Sequence, residues 1–289
     1  MIRRRWAASS TGCKEKARNG MAARDLGVAV VIPCFNQERF LAGAIESAVA
    51  QTIAAGEIIV VDDGSTEDVR SVAARYAAVT LIRQDNRGLA GARNAGLAAA
   101  ASDKLIFLDA DDRMSPNAIA SGLECFRRNP DAAFVYGAHR IVRGDKISRS
   151  YFPVLSHRDL IRCNWIGMVG TAMFDRVRLL EVGGFDESLG MCEDWDAYLR
   201  LSRIFPFASH DAIVADYIRH GGNSSNDLHR LWKWIEVVRA SERQRGLERD
   251  DELAWREGER VWESMLGPDP AKAGLIDRAA RKLARVLGL

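Results

Sequence analysis

Residues Lys104 to Asp112 read Lys-Leu-Ile-Phe-Leu-Asp-Ala-Asp-Asp, an apolar run without helical period that stops on three carboxylates. The pattern predicts a strand buried on both faces that delivers acid to the edge of a sheet. In open α/β sheets, ligands gather outside the carboxyl ends of the strands. Asp109 and Asp111, one small residue apart, can therefore aim at one divalent cation. Hard oxygen ligands suit Mg2+ or Mn2+, which keep several waters and take only one or two carboxylates beside substrate phosphates. Taken alone, the triplet fits equally well a strand end followed by an Asx-rich cap for a helix starting at Pro116.

The rest of the chain repeats the alternation. Val28 to Ile32 is a β-rich run closed by Pro33, and Glu38 to Gln51 places Leu41, Ala44, Ile45, Ala48 and Val49 on one helical face. Ile58 to Val61 runs into Asp62-Asp63-Gly64-Ser65-Thr66, where Ser65 or Thr66 is expected to cap the next helix. A strand over Val79 to Ile82, an alanine-rich helix over Leu89 to Ala101, a helix over Pro116 to Arg128 and a strand over Ala132 to Tyr136 follow. Such alternation predicts an α/β fold, a mostly parallel twisted sheet with helices on both faces. Beyond Gly137 the regularity fades, leaving strands at Thr171 to Phe174 and Ile213 to Ile218 and a helix over Glu193 to Ile204. From Leu228 the chain reads as a charged, tryptophan-bearing helical extension, interrupted at Gly267-Pro268-Asp269-Pro270. The expected organisation is a disordered basic leader over 1–25, a catalytic-type domain over 26–226 and a helical C-terminal extension over 227–289.

In the leader, Arg3, Arg4, Arg5, Lys14, Lys16, Arg18 and Arg24 stand against the single acid Glu15, with no apolar core of a secretory signal. Met21, just before the first strand, is an expected translation start. A formal net charge of +2 gives the chain no nucleic-acid footprint. Its cysteines, Cys13, Cys34, Cys125, Cys163 and Cys192, are odd in number and never paired as C-x-x-C, which argues for a reducing cytosol. No apolar run approaches the roughly 20 residues needed to span a bilayer. A cytoplasmic location is expected, with any membrane contact peripheral and at the inner face. The final stretch, 272–289, sets Leu275, Ile276, Ala279, Leu283 and Val286 against Arg278, Arg281, Lys282 and Arg285. This basic amphipathic pattern favours packing on its own domain or on a second subunit of a homo-oligomer over a membrane surface.

Three expected strand ends carry polar clusters: Pro33-Cys34-Phe35-Asn36, Asp62-Asp63-Gly64-Ser65 and Asp109-Ala110-Asp111-Asp112. A parallel sheet gathers them along one edge, where a nucleotide fits. No G-x-G-x-x-G follows the first strand and no G-x-x-x-x-G-K-[ST] occurs, so phosphates would have to be held by metal and arginine.

In the segments Val30–Leu41 (VVIPCFNQERFL), Ile58–Asp68 (IIVVDDGSTED), Gln84–Ala100 (QDNRGLAGARNAGLAAA), Leu105–Asp112, Gly183–Leu189 (GGFDESL), Cys192–Leu201 (CEDWDAYLRL) and Tyr217–Ser225 (YIRHGGNSS), the chain resembles the inverting, nucleotide-sugar-dependent glycosyltransferases of family 2, which have the GT-A fold. Each segment alone is weak, whereas their shared order over Val28 to Ser225 is specific. Cys34-Phe35 stands where the family often has a small residue and Tyr, which leaves a stacking position intact.

The resemblance implies roles. Pro33, Phe35, Asn36 and Asp62 would surround the base, Asp62 accepting a base N–H and so favouring uracil. Asn86, Arg93 and Asp109 would hold ribose or sugar hydroxyls and phosphate. Asp111 would bind Mn2+ or Mg2+ with His220 as second ligand. Asp194 would be the general base that takes the proton of an attacking acceptor hydroxyl, with Glu193 and Asp196 as ordinary residues of an acid-rich helix start. Gly184 and Phe185 would form an acceptor-side loop, and Trp195 would either face the acceptor or pack in the core. Further acceptor contacts are expected from 138–170. The partners implied are a nucleoside-diphosphate sugar, with a UDP-sugar favoured, and a glycan or lipid-linked acceptor in surface polysaccharide assembly. Two other readings stay open: a non-catalytic nucleotide-sugar binding module, and an aspartate-dependent phosphohydrolase in which the strand-D-x-D pair serves as nucleophile and acid.

Overall fold

The computed structural model describes residues 27–150 and 156–266. The basic leader, Met21, the 267–270 interruption and the 272–289 amphipathic stretch lie outside them. Strands β1 (Val28–Cys34), β2 (Glu57–Asp62), β3 (Val79–Arg83) and β4 (Lys104–Phe107) alternate with helices α1 (Glu38–Val49), α2 (Val69–Ala73) and α3 (Gly88–Ala99). A two-residue strand β5 (Arg113–Met114) follows the acids, then α4 (Ala118–Arg128), the hairpin β6 (Phe134–Arg143) and β7 (Lys146–Ser150), and α5 (His157–Arg162). The chain continues through β8 (Ala172–Asp175), α6 (Arg176–Glu181), α7 (Glu193–Ile204), β9 (Ala208–Ile218), α8 (Leu228–Gln244) and α9 (Arg249–Leu266).

One sheet runs β3-β2-β1-β4-β8-β6-β9-β5, with β7 on β6. Its first half, β3-β2-β1-β4, is parallel, so these strands end along one edge. The second half is mixed: β8 runs antiparallel to both β4 and β6, β9 parallel to β6, and β5 antiparallel to β9. The α/β architecture with helices on both faces therefore stands, and the strand direction changes where the sequence pattern fades.

β1 shows why the sheet is covered on both sides. Val28, Val30, Ile32 and Cys34 face a core built with Leu41, Ala44, Ile45 and Ala48 of α1, while Ala29 and Val31 face a second core with Ala90, Ala92 and Leu97 of α3. Gly96 lets α3 approach, since a Cβ there would lie 2.2 Å from Val31. The cap expected at Ser65 or Thr66 falls instead on Asp68, whose carboxylate accepts the Ser71 N–H at 3.0 Å. Ser65 is drawn off to accept the Asn36 N–H at 3.0 Å.

The C-terminal helices close the second core. Ile235 and Val238 of α8 and Ala254 and Trp262 of α9 are buried with Leu160 and Trp195. Asp196, fully buried, pairs with Arg200 at 2.7 Å and with Arg245, just past α8, at 2.6 Å. Among the described residues no helix is long and apolar enough to cross a membrane, and Cys34, Cys125, Cys163 and Cys192 are free thiols.

Candidate active site

The parallel edge collects the first three clusters. Cys34 pairs with Asp62 in the β1–β2 register and Asp62 with Arg83 in the β2–β3 register. The buried Asp62 carboxylate accepts the Ser65 N–H at 2.9 Å and pairs with Arg83 at 2.5 Å. Asn36, in the left-handed region at φ 52°, accepts the Thr66 N–H on its side chain at 2.9 Å, so the loops after β1 and β2 are locked together. Phe35 projects beside them, 47% exposed.

The chain past β4 is clamped to the far end of the sheet. β5 pairs Arg113 with Asp216 and Met114 with Ala215 of β9. The buried Asp112 carboxylate accepts the Ile218 N–H at 2.9 Å. These bonds carry His220 to Asp111, with Nε2 2.9 Å from Asp111 Oδ2. His220 Nδ1 accepts the Gly222 N–H at 3.1 Å, leaving Nε2 to share a hydrogen bond with Asp111. Adjacent ligands of an octahedral cation with bonds of about 2.1 Å lie about 3 Å apart. The spacing thus fits a divalent cation standing in place of the shared proton, one carboxylate and one imidazole from the protein leaving room for phosphate oxygens and water.

On the other side of Asp109 lies a buried arginine. Arg93, on α3 and 2% exposed, pairs with Asp109 at 2.7 Å and with Glu193 at the start of α7. Burial alone would lower its pKa, but Asp109, Glu193 and Asp194 raise it above the ordinary value and keep the guanidinium charged. Asp194, next in α7, is half-buried. Burial first, then the charge of Glu193, push its carboxyl up from the ordinary 3.8 to about 7, against the lowering effect of Arg93 and the Trp195 N–H. Asp111 is also raised, by burial and by Asp109, with His220 opposing. Asp112 lies well above the carboxylate range for the same two causes. The acids from β4 and α7 thus form one electrostatic unit centred on Asp109 and Arg93.

Residues 29–178 match the family described as Glycosyl transferase family 2. The chain belongs to this family. Relatives of this family 2 chain include a chondroitin synthase from Escherichia coli, 31% identical over 222 residues that cover 73% of this chain and 32% of that protein. A hyaluronan synthase from Pasteurella multocida is 28% identical over 212 residues, 68% of this chain and 21% of that protein. The chain therefore spans about a third or less of the length of these two relatives. Among solved structures, S. aureus TarS 1–349 in complex with UDP-GlcNAc has a TM-score of 0.69 at 15% identity, covering 90% of this chain and 81% of that one. The mannosyltransferase PcManGT from Pyrobaculum calidifontis, in complex with GDP-Man and Mn2+, has a TM-score of 0.61 at 19% identity over 89% and 80% of the two chains. These likenesses carry the fold.

Within this family 2 domain, the expected donor-side residues Pro33, Phe35, Asn36 and Asp62 lie at the ends of β1 and β2, and Arg93, Asp109, Asp111, Asp194 and His220 form one linked cluster of charges. Asn86 lies against the loop after β2, its backbone nitrogen 2.9 Å from a Cβ built on Gly64. It is exposed, and its Oδ1 accepts the Gly88 N–H at 3.2 Å.

For Phe185 the acceptor-side expectation needs correcting, and of the two readings of Trp195 the structure shows the core one. Phe185 is 2% exposed and packs edge-on against Phe107 at 4.9 Å. Trp195 is 1% exposed, donates from Nε1 to the Leu160 carbonyl at 2.8 Å and lies 5.6 Å from Trp262. Both are core residues. Gly184 serves packing too: its φ of +69° favours glycine, and a Cβ would lie 2.6 Å from Asn94 Oδ1. Nor are Glu193 and Asp196 ordinary helix residues, since both are buried in ion pairs. In the 138–170 stretch, Arg140 is committed to Asp216 at 2.6 Å. Sequence reasoning also passed over Asp112 and Asn223. The third acid of the triplet was a signal for the first; nothing local marks the second.

Proposed function

We propose that this chain is an inverting, metal-dependent glycosyltransferase that moves a sugar from a nucleoside-diphosphate donor, with a UDP-sugar favoured, to a hydroxyl of a glycan or lipid-linked acceptor. The observation that carries the reading is the convergence of Asp111 and His220 on one side of Asp109 and of Asp194 on the other, joined by buried Arg93. Exposed Phe35 offers a face for the base to stack on. The Asp62 oxygens each keep a lone pair beyond those given to Ser65 and Arg83, enough to accept a base N–H.

A carboxyl raised to about 7 suits a general base near neutral pH. Asp194 takes the proton of the acceptor hydroxyl as its oxygen bonds to the anomeric carbon, opposite the departing diphosphate, and the anomer inverts. Arg93 holds Asp109 and Glu193 fixed, so the charges around Asp194 need no rearrangement during the step. Asp111 and His220 would hold a Mn2+ or Mg2+ ion, whose charge would neutralise the leaving diphosphate so that no general acid is needed. The chondroitin and hyaluronan synthase relatives favour a role in surface polysaccharide assembly, at the cytoplasmic side.

The test is UDP release from a panel of UDP-sugars with Mn2+ and an oligosaccharide acceptor. Asp194→Ala is expected to lower kcat by roughly 10^2–10^4, and Asp111→Ala to abolish the Mn2+ dependence. Full turnover by Asp194→Ala would remove the base. Phosphate release from simple esters would favour the phosphohydrolase instead.

A further inference from the structure

His220 lies beyond the end of β9, followed by Gly221 and Gly222. Nothing stands within 4 Å of a Cβ built on Gly221, and the local backbone holds the imidazole through the Gly222 N–H donated to Nδ1. Two side chains add to this, one from α1 and one three residues further along the same loop. The Phe40 ring stacks on the His220 ring, centroids 4.6 Å apart and planes 25° from parallel. Phe40 belongs to the first turn of α1, a helix anchored by buried Leu41, Ala44, Ile45 and Ala48, and the Arg39 guanidinium lies 4.5 Å from its centroid. Asn223, 8% exposed, accepts the His220 backbone N–H on Oδ1 at 2.6 Å. Its Nδ2 donates to the Ile218 carbonyl at 3.2 Å and reaches Asp111 Oδ2 at 3.4 Å. One amide therefore ties the backbone that carries the imidazole to the carboxylate.

We propose that Phe40 and Asn223 are positioning residues for a divalent-cation site, holding the His220 ring and the Asp111 carboxylate at the spacing one ion requires. The inference deepens the cation reading above and rests on it. Phe40 fixes the ring plane through its face and Asn223 fixes the height of the backbone. Neither touches the ion. The stack comes from the helix that directly follows the Phe35-Asn36 loop, so the residue framing the cation side is built into the same element as the base side. Partners that orient a ligand in this way are typically worth 10–100-fold in metal affinity.

The experiment titrates Mn2+ into the full chain, with and without UDP, and counts free ion by electron paramagnetic resonance. Phe40→Leu removes the flat face, and Asn223→Ala removes the amide bridge by a route independent of α1. Each is expected to weaken Mn2+ binding by about 10-fold or more, while Phe40→Tyr, which keeps the face, stays within about 3-fold of the parent. Thermal melts confirm that each variant is folded. Mn2+ binding unchanged in folded Phe40→Leu and Asn223→Ala, with binding lost in Asp111→Ala, overturns the positioning roles and leaves the cation reading standing. Mn2+ binding unchanged in Asp111→Ala overturns both.

Discussion

In the parallel half of the sheet, β1, β2 and β4 each bring candidate site side chains to their carboxyl ends: Phe35 and Asn36, Asp62, Asp109 and Asp111. In the mixed half, His220 reaches Asp111 because β5 and Asp112 clamp β9, and Asp194 comes beside Arg93 because its neighbour Glu193 is seized by Arg93 of α3. The first arrangement follows from strand direction alone. The second depends on particular ion pairs and hydrogen bonds between segments about a hundred residues apart. A lost contact in the first half removes one ligand group, whereas one in the second half releases a whole element.

Two phenylalanines sharpen that contrast most strongly. Phe185, buried against Phe107 and with the Arg93 guanidinium 5.5 Å from its ring, belongs to the wall behind the acids. Phe185→Ala is expected to cost about 3–5 kcal/mol of stability, read by urea melts. Phe35→Ala, at an exposed rim position, should leave the melt within about 0.5 kcal/mol and weaken UDP binding instead. A small stability loss at Phe185 with weakened acceptor binding would reverse this assignment and return Phe185 to the acceptor loop.

The same contrast explains what was legible in the sequence. The β1–β4 strands announce themselves because both faces are buried, giving short continuous apolar runs, and their ends because carboxylates there interrupt such runs. Asp109, Asp111 and Asp62 could be found that way, and the family pattern added Asp194 and His220. Phe185 and Trp195 could not be placed. An aromatic beside glycines or acids looks the same in a string whether it faces solvent or core, and its neighbours here, Phe107 and Trp262, are remote in sequence. Glu193 was read as macrodipole decoration because its partner Arg93 lies on another helix a hundred residues earlier. Ser65 lost its expected cap for the same reason: the Asn36 N–H, from another loop, competes for its hydroxyl.

Asp194 offers the next largest effect, and its sign is fixed by the direction of its shift. Its carboxyl, raised from 3.8 to about 7 mainly by burial, holds a proton in the folded chain over a pH range where the unfolded chain has released it. Stability from this group is therefore present at low pH and lost as pH rises through about 4 to 7. Each pH unit of that span is worth at most about 1.4 kcal/mol, and solvent reaching the half-buried side chain trims it. Asp194→Asn, which cannot ionise, should match the parent near pH 3.5 and melt about 5 °C higher at pH 8. In the parent, kcat should climb with pH and level off above about 7. A melting gap that is equal at both pH values would mean that Asp194 stays ionised throughout, leaving the mixed half without a base poised by its surroundings.

Gly184 gives the smallest effect and separates packing from recognition most directly. The Gly184 N–H donates to the Leu179 carbonyl at 2.9 Å and the Arg200 guanidinium donates to its carbonyl at 2.7 Å, so its left-handed backbone is held from both sides. An alanine there meets the left-handed penalty of about 1–2 kcal/mol and pushes Asn94 Oδ1, which accepts the Phe185 N–H at 2.8 Å. Gly184→Ala is expected to lower Tm by roughly 3–6 °C while leaving the acceptor KM unchanged. The logic is positional: the glycine lets α6 turn into the segment carrying Phe185, and Phe185 backs Arg93, so strain at Gly184 reaches the cleft only through the core. A raised acceptor KM with an unchanged melt would put Gly184 in the acceptor path and make the loop after α6 a wall of the cleft.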